Sequence, residues 1–144
     1  MTTEDTLALR MARHFDATPE QVFDAWTDPA VVSRWLFASP TSEKHTVEQD
    51  LRVGGRWSIT DRRDGTDYTA TGEYVTIDRP RRLAFTFGMP QFSPDMATVT
   101  VELVAEAGGT LMTMTQAPTP PEEQAPAEHG WSLMFDGLKL VLAR

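Results

Sequence analysis

A chain of 144 residues is the size that builds one hydrophobic core, and residues 1–144 are expected to form a single domain burying roughly two-thirds of its unfolded surface. Thirteen Lys plus Arg against twenty-one Asp plus Glu leave a net charge of −8, which repels phosphate backbones and anionic lipid and argues against nucleic acid and membranes as partners. The lack of cysteine removes disulfides, thiolate catalysis and cysteine-based zinc sites, and it suits a reducing cytoplasm.

The first residues, Met1-Thr2-Thr3-Glu4-Asp5, are polar and acidic, unlike a signal peptide, and no apolar run is long enough to span a bilayer. Leu7, Leu9, Met11 and Phe15 share the odd-numbered face of a first strand over residues 6–15. Thr18-Pro19-Glu20-Gln21 then supplies an N-cap hydroxyl, a proline at the first helical position and a Gln able to reach back to the cap. A helix is expected from Pro19, with Val22, Phe23 and Trp26 on its apolar side. Asp28-Pro29 ends it and caps a second short helix carrying Val31, Val32, Trp35 and Leu36. Residues 37–45 lack a period and read as a loop.

From Thr46 onward the pattern is strands and tight turns. Gly54-Gly55, Asp64-Gly65, Asp78-Arg79-Pro80 and Gly108-Gly109 are the punctuation. Between them Trp57 alternates with Ile59, Leu83 with Phe85 and Phe87, and Val99 with Val101 and Leu103. In the last strand Met112, Met114 and Gln116 oppose Leu111, Thr113 and Thr115, and the Met face is expected inward. Strands joined by such turns pair antiparallel.

A Pro-rich connector from Ala117 to Pro126 leads to the last helix, with Thr119 as its cap and Pro126 expected to kink it or leave a short turn ahead of it. Trp131, Met134, Phe135, Leu138, Val141 and Leu142 recur at the spacing of one helical face, which a sheet with one apolar surface would cover. Gly130 beside Trp131 is expected to mark a close approach to a strand. The order is one strand, two helices, six strands and one long helix, an α+β fold.

The string Ala17-Thr18-Pro19-Glu20-Gln21-Val22-Phe23-Asp24-Ala25-Trp26-Thr27-Asp28-Pro29, followed by Trp35 and by Asp50-Leu51-Arg52-Val53-Gly54-Gly55, resembles the START-like (SRPBCC, Bet v 1-like) superfamily. Within it the chain is similar to homologues of the activator of heat-shock protein 90 ATPase. Gly72-Glu73-Tyr74-Val75, Pro80-Arg81-Arg82-Leu83-Ala84-Phe85-Thr86, Gly109-Thr110 and Gly130-Trp131 extend the match in order. The resemblance implies a helix-grip fold: a curved antiparallel sheet wrapped around the C-terminal helix, with a cavity between them. It also implies a family of ligand carriers, cyclases and chaperone regulators. Gln116 stands where many relatives would carry His, so imidazole chemistry is not expected there.

Taken by themselves, Trp35, Trp57, Phe85, Phe87, Met112, Met114, Trp131, Met134 and Phe135 read as core packing. With the resemblance they become the expected lining of an apolar pocket, joined by Tyr74 and by His129 at its mouth. His14, His45 and His129 lack metal-ligand spacing, so neither metal nor cofactor is expected. Glu48, Asp50, Asp61, Glu73 and Glu102 read mainly as outer-face charges, able to act as acid or base only if turned inward. Arg62-Arg63, near a turn, reads as edge charge. Gly54-Gly55-Arg56 lacks the ending of a phosphate loop, and there is no Gly-x-Ser-x-Gly nucleophile elbow.

The leading expectation is a cytoplasmic protein, monomer or homodimer, that encloses a small, mostly apolar ligand between sheet and last helix. Two alternatives accompany it: an interaction module for a chaperone ATPase or other protein partner, and a cyclase- or dehydratase-like enzyme using a pocket acid or base.

Overall fold

The computed structural model describes residues 7–38 and 42–143. Strand β1 spans Leu9–Phe15, helix α1 Pro19–Thr27, the short helix α2 Pro29–Val32 and strand β2 Lys44–Gln49. Strands β3 (Arg56–Arg63), β4 (Thr66–Asp78), β5 (Arg82–Phe87), β6 (Ala97–Glu106) and β7 (Gly109–Ala117) follow, and helix α3 spans Pro121–Leu142. All seven strands pair antiparallel in the order β1-β7-β6-β5-β4-β3-β2, an open sheet with β1 and β2 at its edges. A register shift between Tyr74 and Thr76 interrupts the β4–β5 ladder, a device that bends a strand. With two short helices early and one long helix last, this is the helix-grip arrangement. Among the described residues no helix is long and apolar enough to cross a membrane.

The capping box forms as read. The Thr18 hydroxyl accepts the Gln21 N–H at 3.1 Å, and the Gln21 side chain accepts the Thr18 N–H at 2.9 Å. Helix α1 buries Val22, Phe23 and Trp26. Its far end is tied to the β4–β5 turn by a two-pronged Arg79–Asp24 pair at 2.8 and 2.9 Å, whose hydrogen bonds hold the Asp24 carboxyl below its ordinary range. Along β7, Met112 and Met114 are fully buried, in line with the inward Met face.

Five expectations need correction. Helix α2 stops at Val32, and Trp35 and Leu36 sit in the turns beyond it. There Arg34 and Trp35 donate to carbonyls three residues back, and the Trp35 indole N–H donates to Ala25 O at 2.8 Å, so packing under α1 overrides helical continuation. The loop read over residues 37–45 ends earlier, because Lys44 and His45 pair with Arg62 and Asp61 of β3; residues 39–41 lie outside the described residues.

Thr119 does not cap α3. Its hydroxyl donates to Gln116 O at 2.9 Å and accepts from Gln116 Nε2 at 3.1 Å, leaving Pro120 at the cap position. The helix then runs unbroken through Pro126, whose missing N–H would have met the carbonyl of exposed Glu122, a group that water can serve. Finally, a Cβ built on Gly130 would meet nothing within 4 Å among the described residues, so this glycine borders open space instead of a strand. The close neighbour lies at Gly137, where a Cβ would sit 3.6 Å from Trp35 Cβ.

Candidate functional site

Trp131, Phe135 and Leu138 of α3 are buried, and α3 approaches β1 and α1 most closely. Beside that face, a cavity of about 410 Å³ lies between Gly130, Leu133 and Met134 of α3 and Ile59 and Ala70 of the sheet. The space exists because small residues meet there: Ala38, Ala70 and Gly130 all border it. Leu133 and Asp136 are exposed and form its rim.

Phe37 is the wall shared by this cavity and the aromatic core. Its ring stacks on Phe87 at 4.9 Å and lies 5.9 Å from Trp57 and 5.6 Å from Trp131. Its backbone has φ 54°, a left-handed conformation that costs a bulky residue about 1–3 kcal/mol. The ring contacts, and an amide N–H directed at Met134 Sδ at 3.1 Å, offset that strain.

At the other end the cavity turns polar. The alternation that points Trp57 and Ile59 inward continues to Asp61, which is 2% exposed. On its rung of the sheet Asp61 faces His45 of β2 on one side and Tyr68 of β4 on the other. His45 Nδ1 lies 3.2 Å from Asp61 Oδ1, and Nε2 lies 3.0 Å from Leu36 O. A carbonyl only accepts, so the Nε2 that faces Leu36 O carries hydrogen. Arg63 Nε lies 2.9 Å from Asp61 Oδ2 without directing its N–H at it, while its guanidinium carbon sits 4.5 Å over the Tyr68 ring. The Arg63 charge on one side and the His45 ring on the other are what keep a buried carboxylate tolerable.

The expected pocket residues separate into groups. Met134 borders the large cavity. Trp57, Tyr74 and Phe85 border a second void of about 10 Å³, room for roughly one water. Burial there pushes the Tyr74 hydroxyl up to about 12. Trp35, Met112, Met114 and Phe135 are enclosed by core packing, and Phe87 belongs to the ring cluster around Phe37. Trp131 is buried with its indole N–H donating to Gln116 Oε1 at 2.8 Å, so Gln116 is a structural link between β7 and α3. His129, expected at the pocket mouth, is exposed more than two turns into α3 and does not line the cavity. Of the five candidate carboxylates, Glu48, Asp50, Glu73 and Glu102 are exposed and Asp61 alone points inward.

The sequence reading missed Phe37, His45, Arg63 and Tyr68 as site residues. The usable signal was the continuation of the β3 alternation to Asp61 and Arg63.

The comparisons agree with this architecture. A solution structure of a protein from Arthrobacter aurescens superposes with a TM-score of 0.83 at 24% identity, covering 99% of this chain and 90% of that one. A crystal structure from Mycobacterium smegmatis gives 0.82 at 24% identity, over 99% and 95% of the two chains. One from Chromobacterium violaceum gives 0.82 at 21% identity, over 96% and 98%. No curated protein matches the chain. A family model described as activator of Hsp90 ATPase homolog 1-like protein matches residues 16–143, and the chain belongs to that family.

Proposed function

We propose that this protein is a cytoplasmic binding protein that encloses a small, mostly apolar molecule between β3, β4 and α3. The observation that carries the reading is the cavity of about 410 Å³ lined by Phe37, Ile59, Ala70, Met89 and Met134, a size and character typical of small-molecule sites. It lies against a core that is otherwise closed by large rings, so binding needs no rearrangement of the fold. Naphthalene is a suitable probe, followed by calorimetry. Wild type is expected to bind it, and Gly130→Trp, which projects a ring into the space, to lose it while keeping its circular dichroism. Equal binding by both proteins would place the ligand elsewhere and sink the reading.

A second reading rests on Leu133 and Leu140, 58% and 72% exposed and seven residues apart on α3. Two apolar side chains on one outer face suit a protein partner such as a chaperone ATPase. Partner capture unaffected by Leu133→Glu with Leu140→Glu would remove it.

A further inference from the structure

Apolar walls accept many molecules, whereas the polar end of the cavity is selective. Asp61 Oδ2 and Arg63 Nε are both buried, and neither makes a hydrogen bond among the described residues. Both residues line the cavity, and the two atoms are 2.9 Å apart. An acceptor and a donor therefore stand side by side with their hydrogen bonds unmade, a costly arrangement for buried groups.

Both groups are positioned, and a small shift of the partly exposed Arg63 side chain opens them to the cavity. Asp61 Oδ1 is engaged by His45, and His45 is anchored in turn to the Leu36 carbonyl. Arg63 is held over the Tyr68 ring. A ligand group that serves both atoms must donate and accept at one place. A carboxylate would meet the charge of Asp61 and an ammonium that of Arg63, while an ether or ketone only accepts. A hydroxyl does both. The rings of Phe37 and Tyr68 along the same cavity suit a flat partner.

We propose that the cavity selects an otherwise apolar ring compound carrying a hydroxyl, which donates to Asp61 Oδ2 and accepts from Arg63 Nε. This rests on the cavity reading above and adds to it a chemical class of ligand.

The test compares 2-naphthol, 2-methoxynaphthalene and naphthalene by calorimetry on wild type, Asp61→Leu and Arg63→Met. A hydrogen bond to a charged group predicts that wild type binds 2-naphthol about tenfold or more tightly than the other two. In Asp61→Leu that ratio should fall toward one, with naphthalene affinity little changed. Arg63→Met, at a partly exposed position, serves where Asp61→Leu fails to fold, and it should lower the same ratio. Three equal affinities in wild type would overturn the hydroxyl selection and leave the cavity reading standing. So would a preference that survives in every folded variant. Binding of none of the three would bring down both.

Discussion

Two adjacent faces of α3 meet the same sheet with opposite results. On one, Trp131 and Phe135 lie 5.7 Å apart and close against Trp26, which itself meets Trp35 edge-on at 4.7 Å. On the other, Gly130 and Met134 look across to Ala70 and leave about 410 Å³ open. The backbone of the helix is the same on both sides, so side-chain size decides which side closes. Large rings on the first face fix where α3 sits, and small residues on the second then have nothing to draw the sheet inward. A cavity can persist in this fold because the rings beside it carry the packing.

The strongest way to break that comparison is to remove a ring. Phe135→Ala deletes a side chain that is 1% exposed and should cost about 3–5 kcal/mol, read from urea unfolding midpoints. Met134→Ala, half-buried at the cavity, should cost about 1–2 kcal/mol, because its surroundings are already open and the main loss is the sulfur that meets the Phe37 N–H. Similar losses for the two would mean that the faces do not differ in what they support.

A second way uses alkali. Tyr74, 6% exposed beside the closed core, has its hydroxyl raised from 10.0 to about 12 by burial. The folded state thus holds this proton more tightly than the unfolded state does. Its contribution is complete below pH 10 and is lost as pH rises toward 12, a change of roughly 2–3 kcal/mol across that window. Unfolding midpoints of wild type and Tyr74→Phe should therefore converge or cross as pH rises from 9 to 11.5, with wild type losing more. A constant gap between them would show that Tyr74 is not sealed in.

Much of the architecture was legible because apolar periods and cap residues act locally. Thr18 and Gln21 needed only each other, and the Met face of β7 needed only the rule that strands alternate. The site was harder to read for equally specific reasons. At Asp61 an inward polar residue looks like an outward charge until its rung partners are known. His45 lies on edge strand β2, where Val47 is the one apolar residue in the half-buried row His45, Val47, Gln49. One apolar residue makes no period. Phe37 adopts a left-handed backbone through tertiary contacts that no local pattern encodes. Gly130 was misjudged in the opposite sense, since a helical glycine marks a missing side chain whether a neighbour or a void lies beside it.

That glycine gives the smallest and most direct test. Glycine weakens a helix interior by about 1 kcal/mol relative to alanine, and its usual defence is a neighbour too close for a Cβ. At Gly130 no packing neighbour among the described residues lies within 4 Å of the added carbon, so Gly130→Ala should stabilise the protein by up to about 1 kcal/mol. A rise of a few degrees in Tm is the readout. Its methyl group enters the cavity without filling it, so naphthalene binding should survive in Gly130→Ala and disappear only in Gly130→Trp. A fall in Tm would mean that the space beside Gly130 is occupied in solution, and the contrast between the two faces of α3 would have to be redrawn.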